Sequence, residues 1–177
     1  APVVAVPAPK SFVTRHQTSV HGRKLSYTAI AEETYLTDSR GDPIGSIFSF
    51  SYINEGHDAA AGRSRPVLFA FNGGPGSSSI WLHMGVLGPK IVELDAEVNP
   101  SNLPPFPVRN NPNSILDVAD LVFIDPIGTG YSGPIGKGRY QDFFGVDEDA
   151  EATAQFIERW LTRHNRWNSP KYVIGES

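Results

Sequence analysis

Cysteine is absent from the 177 residues, which excludes disulfide frameworks, thiolate metal sites and cysteine nucleophiles. Basic residues are not in excess, because 15 lysines and arginines stand against 19 aspartates and glutamates, a net charge of −4. Binders of nucleic acid or anionic membranes ordinarily carry a basic excess, so neither partner is predicted. No apolar run approaches the roughly 18 residues that a membrane-spanning helix needs, so no span is predicted.

The composition that is present fits one folded domain with many turns. Apolar residues make up 40% of the chain, enough for a buried core, and 17 glycines with 15 prolines indicate sharp turns. Residues 1–19 are interpreted as a flexible Ala/Pro-rich leader, left by removal of a secretory signal or by artificial trimming. The first origin predicts a secreted or periplasmic protein. Residues 20–177 are assigned to the folded domain.

Apolar patterning predicts an α/β fold with a mostly parallel central sheet and an N-terminal β-hairpin. Residues 25–31 and 44–53 are the hairpin strands, because aromatic and serine residues alternate along the second and residues 38–43 have turn chemistry. Continuous apolar runs predict three further strands that are buried on both faces. These runs are residues 67–71, 121–124 and 172–174.

Two helices are predicted between the buried strands. Residues 77–86 form a short helix, and the clearest helix covers about residues 147–166. Acidic residues begin the longer helix and basic residues end it, which complements the helix dipole. Apolar residues at i, i+4, i+7 and i+11 predict its buried face. Those residues are Ala150, Ala154, Ile157 and Leu161.

Unusual residues follow all three buried strands, at 72–76, 125–133 and 175–177, where parallel sheets place their sites. Residues 72–76, Asn-Gly-Gly-Pro-Gly, allow a backbone N–H to approach a substrate carbonyl and stabilise an oxyanion. The alternative is a Gly-Pro turn that only leaves the strand; a phosphate loop is disfavoured because no Gly-Lys-Ser/Thr follows. Residues 175–177, Gly-Glu-Ser, form the first half of a Gly-x-Ser-x-Gly nucleophile elbow. The alternative there is a solvated serine at a strand end.

Together the motifs resemble the serine carboxypeptidases, peptidase family S10, which have the α/β-hydrolase fold. Four stretches occur in the family's order and spacing, and the similarity runs from about residue 25 to residue 177. They are residues 71–79 with 87–89, 111–114, 121–132 and 172–177. The resemblance implies that the chain is the N-terminal portion of an α/β-hydrolase domain.

The resemblance also implies roles for individual residues. Ser177 is the nucleophile and Gly74 supplies one oxyanion N–H, in an enzyme that removes C-terminal residues from peptides through an acyl-enzyme. Asn72 and Glu176, with the adjacent Gly73, bind the free C-terminal carboxylate of the peptide substrate. An ionised Glu176 repels a carboxylate whereas a protonated one donates a hydrogen bond to it. Activity favoured at acidic pH is therefore implied.

Three positions depart from the family's pattern. Ala70 stands where the family often has Trp, Val86 where it often has a second carboxylate-binding Glu, and Ser77 where it usually has a disulfide-bonded Cys. The set of residues that binds the substrate carboxylate, Asn72 and Glu176, is called here the carboxylate clamp, and it has fewer members than is usual in the family. A related esterase, aminopeptidase or acyltransferase of the same fold is therefore a second hypothesis. A non-catalytic interaction chain is a third hypothesis, and the retained motif residues argue against it.

The triad partners are expected outside these 177 residues, because hydrolases of this fold order their triad as Ser, Asp, His. A missing C-terminal segment or a second polypeptide is expected to supply them and to complete the fold. None of the five histidines has metal-ligand spacing, so no metal is predicted, and no cofactor either.

Three further residues near the motifs have less defined roles. His83, on the short helix, is predicted to be an ordinary, partly exposed histidine. Asp125 is predicted to be a turn or cap residue. Tyr131 is assigned to the border of the substrate pocket, with a packing role as the alternative.

Overall fold

The computed structural model describes residues 5–56, 65–95, 97 and 104–177. Its strands are β1 Ser11–Val20, β2 Arg23–Thr37, β3 Pro43–Asn54, β4 Val67–Asn72, β5 Lys90–Val92, β6 Val108–Asn110, β7 Asp120–Ile124, β8 Gly133–Pro134 and β9 Lys171–Glu176. Its helical segments are α1 Ile80–Leu82, a π-helical turn His83–Leu87, a 3-10 turn Tyr140–Asp142 and α2 Val146–Arg163. No helix in this described part of the chain is both long enough and apolar enough to cross a membrane.

The main sheet is mixed, and its parallel part carries the sequence motifs. Within the described ranges the strand order is β1-β2-β3-β7-β4-β9, with β8 beside β3. Strand β4 lies between β7 and β9 and runs parallel to both, whereas the other pairs are antiparallel. The carboxyl ends of β4, β7 and β9 therefore meet at one edge of the sheet, where parallel sheets form their sites.

The predicted N-terminal hairpin is confirmed as β2 and β3, but the predicted leader is partly wrong. Residues 11–19 form most of β1, which pairs with β2 from Ser11 opposite Glu32 to Val20 opposite Arg23. Most of β1 is solvent-exposed, so its sequence shows no apolar alternation, and its pairing depends on backbone hydrogen bonds to β2. The first four residues of the predicted leader lie outside the described residues.

The three strands predicted from continuous apolar runs all form, but they differ in burial. Strand β7 is buried throughout and β4 nearly so, because their side chains pack into a core cluster on each face of the sheet. Strand β9 was predicted to be buried as well, and this is wrong for the described residues, where Tyr172, Val173 and Ile174 are exposed. The reason is that neither core cluster of the described residues includes a side chain of β9, which pairs with β4 at the edge of the described sheet.

Helix α2 forms as predicted, and two residues of its predicted face are confirmed, since Leu161 is buried and Ile157 packs against the core, but the helix is rotated away from the two alanines. Ala150 and Ala154 are exposed. The buried residues are Ala152, Phe156, Trp160 and Leu161. Large aromatic side chains bury far more apolar surface than alanine does, so their positions determine the helix's rotation.

Candidate active site

The carboxyl ends of β4 and β9 place the two predicted clamp residues side by side. Asn72 lies opposite Glu176 in the parallel ladder, and its Nδ2 donates a hydrogen bond to Glu176 Oε2 at 2.8 Å. Asn72 is buried, and its Oδ1 accepts the backbone N–H of Leu82 at 3.1 Å. Both polar atoms of the amide are engaged, so the Leu82 N–H orients the amide that faces Glu176.

The two glycines after Asn72 have different backbone roles. The Gly73 N–H donates to the Glu176 carbonyl at 2.7 Å, and a Cβ on Gly73 would lie 2.5 Å from the Ser177 carbonyl carbon. Only glycine permits this approach. Gly74 has a φ of +132°, which favours glycine, and its N–H has no acceptor among the described residues. Gly74, rather than Gly73, therefore has an N–H free to stabilise an oxyanion.

Ser177 directly follows β9 and has a left-handed backbone with φ +57°. Such a conformation is uncommon for a non-glycine residue, clusters at functional sites, and fits the sharp turn of a nucleophile elbow. A cavity of about 480 Å³ opens in front of it. It is lined by Asn72, Gly73, Gly74, Ser77, Trp81, Leu82, Val86, Glu176 and Ser177.

This cavity brings together all the residues predicted for the site except Tyr131. The Tyr131 ring lies against Phe48, with ring centroids 5.3 Å apart, and 79% of the residue is exposed. Trp81 and Val86 also line the cavity, although Trp81 was predicted to be a core or helix-face residue and not part of the site. Their apolar side chains line the same cavity as Asn72 and Glu176. Asn72 and Glu176 lie on two strands that are far apart in the sequence, so residue spacing alone does not reveal that they meet.

The carboxyl end of β7 anchors the segment that follows the glycines. Buried Asp125 accepts the Ser79 backbone N–H at 2.9 Å, and the Ser79 hydroxyl donates to the Ile124 carbonyl. Burial raises the pKa of Asp125 above its usual value, and the hydrogen bond from Ser79 partly offsets this. A Cβ on Gly130 would lie 2.2 Å from Asp125 Oδ2, so the turn after β7 requires glycine there. Asp125 therefore binds a segment 46 positions away, and its predicted role in a local turn or cap stays a prediction.

The π-helical turn is held by the Asn-Pro-Asn-Ser motif of residues 111–114. Asn111 Nδ2 donates to the carbonyls of Val86 and Gly88 at 2.8 and 2.9 Å. The Ser114 hydroxyl donates to the Leu87 carbonyl at 2.7 Å. These bonds satisfy carbonyls at the end of the turn, so a motif remote in sequence fixes one wall of the cavity.

His83, predicted to be partly exposed, is buried, with only 6% of its surface accessible. Its ring stacks on Phe123 with centroids 4.5 Å apart, and its Nε2 lies 2.5 Å from the Tyr52 hydroxyl. Burial lowers the pKa of His83 to about 4. The prediction was wrong because the aromatic face of β3 covers the ring, and the alternation along β3 was the available signal.

Two of the other histidines each lie beside a single carboxylate. His21 Nδ1 lies 3.0 Å from Asp117, and His164 Nε2 lies 2.9 Å from Glu32. Among the residues the structure describes, no three His, Asp or Glu side chains lie close enough together to hold a metal ion. His57 lies outside the described residues.

Comparison with known proteins places this geometry in a family. A family model described as serine carboxypeptidase (peptidase family S10) matches residues 49–177. The chain belongs to the serine carboxypeptidase family. Serine carboxypeptidase-like 8 of Arabidopsis thaliana is 32% identical to it over 117 residues, 63% of this chain and 25% of that protein. Pheromone-processing carboxypeptidase KEX1 of Phaeosphaeria nodorum is 33% identical over 119 residues, 66% of this chain and 16% of that protein.

A solved structure supports the fold of this member of the family. The prohormone-processing carboxypeptidase Kex1(delta)p of Saccharomyces cerevisiae matches with a TM-score of 0.64 and 23% identity. The match covers 84% of this chain and 30% of the yeast chain. The predicted α/β-hydrolase fold is confirmed. The chain spans a quarter or less of the length of the two curated relatives described above.

Proposed function

We propose that this chain carries the nucleophile, one oxyanion donor and the carboxylate clamp of a serine carboxypeptidase that removes C-terminal residues from peptides. The observation that carries the proposal is the Asn72–Glu176 hydrogen bond of 2.8 Å, which borders the same cavity as Ser177 and Gly74. A nucleophile beside a carboxylate clamp selects the last peptide bond of a chain. An enzyme that cleaves within chains has no need of such a clamp.

The proposed chemistry is acyl transfer through Ser177. Its Oγ attacks the carbonyl carbon of the scissile bond while its proton passes to a base, and the Gly74 N–H stabilises the oxyanion. The C–N bond then breaks, the leaving amine takes the proton, and water hydrolyses the serine ester. The triad Asp and His come, in this proposal, from a downstream segment or a second chain, because they follow the serine in this fold.

Glu176 binds a substrate carboxylate in its protonated form. A carboxyl group loses its proton as the pH rises and then repels another carboxylate, so binding through the clamp weakens with rising pH. The side chain of Asn72 donates at any pH, because an amide does not titrate in this range. Carboxypeptidase activity is therefore expected to favour acidic solution.

A second candidate function rests on Val86, which lines the cavity where the family often has another carboxylate-binding residue. An apolar wall there suits a substrate without a carboxylate at that point. A related esterase, aminopeptidase or acyltransferase of the same fold is the function this observation favours.

Peptides with free and amidated C-termini distinguish these functions when the full-length protein is assayed. We expect kcat/KM for the free peptide to exceed that for the amidated one by about tenfold or more at pH 5, since one good charge-assisted contact contributes on the order of 1.4 kcal/mol or more. The advantage shrinks towards pH 7. Glu176→Gln is the matched control, because its amide still donates but does not titrate, so the dependence between pH 5 and 7 flattens.

Three outcomes of that assay are informative. Equal cleavage of the two peptides favours the esterase, aminopeptidase or acyltransferase. No hydrolysis by the full-length protein favours a non-catalytic interaction chain. A free-peptide advantage that grows from pH 5 to 7 would contradict the proposed role of Glu176.

Two further parts of the proposal concern the substrate pocket and the location of the protein. Tyr131 packs against Phe48 outside the cavity, so in this proposal it contacts only a longer peptide that extends beyond the cavity. A substitution of Tyr131 is then expected to change the preference for peptide length and not the binding of the carboxylate. Secretion, or a periplasmic location, stays a prediction from the Ala/Pro-rich start of the sequence.

A further inference from the structure

The ring of His83 is enclosed by the rings of Phe50, Tyr52 and Phe123, called here the aromatic box. The residue before His83, Leu82, contacts Asn72 of the carboxylate clamp. The His83 ring lies nearly parallel to Phe123, at an interplanar angle of 17°, and 4.9 Å from the Phe50 ring centroid. Tyr52 closes the box and places its hydroxyl 2.5 Å from Nε2. The proposed chemistry uses none of these groups.

The box offers no charge to balance a proton on His83. The groups that face the ring from β3 are Phe50 and the phenol of Tyr52, and Tyr27 of β2 stands edge-on to Tyr52. Burial raises the pKa of both tyrosines, so both stay neutral. From β7 the ring meets Phe123, and residues 80–87 contain no acidic or basic side chain besides His83. Among the described residues no carboxylate pairs with the ring.

The backbone of the same segment reaches the clamp. The His83 N–H donates to the Ser79 carbonyl at 2.9 Å, and its own carbonyl accepts the Gly88 N–H at 3.0 Å, which closes the π-helical turn. The preceding N–H, that of Leu82, is the donor that orients Asn72. A ring forced out of the box therefore displaces the donor on which the Asn72–Glu176 geometry depends.

We propose that His83 is a positioning residue whose neutral ring, seated on Phe123 and Tyr52, holds the Leu82 N–H against Asn72, so that protonation of the ring releases the clamp. The inference rests on the proposed function, because the clamp's role is part of it. The protein then has an acid limit: Glu176 needs acidic solution to bind a carboxylate, and His83 sets how acidic that solution can become.

The direction of the pH effect follows from the burial of the ring. The seated ring has a pKa of about 4, against 6.5 for a free one. Between these two pKa values a ring displaced from the aromatic box takes up a proton, whereas a ring seated in the box does not. The free-energy preference for the seated ring therefore decreases as the pH falls. Below about pH 4 the seated ring is protonated as well and the preference falls no further, so in this proposal the clamp is released as the pH falls towards that value.

The test follows the Asn72 side-chain amide by NMR in the full-length protein, in a Glu176→Gln background that removes the titration of Glu176 itself. The Asn72 resonance is assigned by its loss in Asn72→Ala. We expect it to shift between pH 5.5 and 3.5 with the midpoint of the His83 ring titration. Adding His83→Gln removes the shift, because glutamine keeps a partner for Tyr52 without titrating. Tyr52→Phe moves the midpoint to higher pH, because it removes the hydrogen bond that holds the neutral ring.

A kinetic measurement in the same background separates positioning from a purely structural role. With a midpoint near pH 4, KM for a peptide with a free C-terminus rises about fourfold between pH 5.5 and 3.5, and this rise disappears with His83→Gln. A structural role instead changes kcat and KM alike at every pH.

The proposal is overturned if the Asn72 resonance stays constant while the His83 ring titrates. This measurement keeps His83 unchanged, so it does not depend on whether a His83 variant folds. A titration that persists in the His83→Gln variant also overturns it. Failure of the proposed function looks different: the protein hydrolyses no peptide, yet the Asn72 resonance still follows His83.

Discussion

Ser177→Ala is expected to lower kcat for peptide hydrolysis by the full-length protein on the order of 10⁴- to 10⁶-fold. The alanine removes the oxygen that forms the acyl-enzyme, and the Gly74 N–H and the clamp alone sustain only slow hydrolysis by water. Substrate binding is expected to persist, because Asn72 and Glu176 are unchanged. A serine-reactive phosphonate followed by peptide mass spectrometry checks the assignment, with the adduct on Ser177 and none in the variant.

Ser78→Ala is the matched control for this loss. Ser78 is half-buried and outside the cavity, so kcat of the Ser78→Ala variant is expected to stay within a few-fold of the wild-type value. A phosphonate adduct on another serine, or a Ser177→Ala variant that retains a tenth of the activity, would show that Ser177 is not the nucleophile.

Trp160→Ala is expected to lower the free energy of unfolding by about 3–5 kcal/mol. Trp160 is completely buried and packs edge-on against Phe69 of β4 with ring centroids 5.4 Å apart. Its Nε1 also donates to the Ser51 hydroxyl at 2.9 Å, and that buried hydroxyl loses its partner in the variant. The ring packs beneath the strand that ends in Asn72, so the core and the site depend on the same contact. Guanidinium denaturation measures the change.

Trp167→Ala provides a tryptophan control on the surface. Trp167 is 52% exposed, its Nε1 donates to the Thr162 hydroxyl and Lys171 Nζ lies 5.9 Å from its ring centroid, so a loss of about 1 kcal/mol is expected. Trp160→Phe keeps the ring but not the donor and is expected to fall between the two. Equal losses for Trp160→Ala and Trp167→Ala would mean that α2 does not depend on this contact.

The buried strands were predictable, whereas the edge strand and the orientation of α2 were not. Strands β4 and β7 have continuous apolar sequences because neighbours cover both their faces. Strand β1 is mostly exposed, so hydrophobicity carries no signal of it, and only its backbone pairing with β2 defines it. For α2, Ala150 and Ala154 fit one helical face as well as Phe156 and Trp160 fit another. Packing against the sheet favoured the larger side chains.

The sequence by itself determined which residues stand at the strand ends. Asn72 and its following glycines, and the Gly-Glu-Ser of residues 175–177, are short motifs whose backbone conformation depends mainly on neighbouring residues. Only the tertiary structure decided which of them interact. Asn72 and Glu176 are 104 positions apart, and they meet because β4 and β9 pair in register. The same pairing uses the Gly73 N–H, whereas that of Gly74 meets no acceptor in the part of the chain that the structure describes. The burial of His83 likewise depends on β3 and β7, since a ring is enclosed only by side chains from other strands.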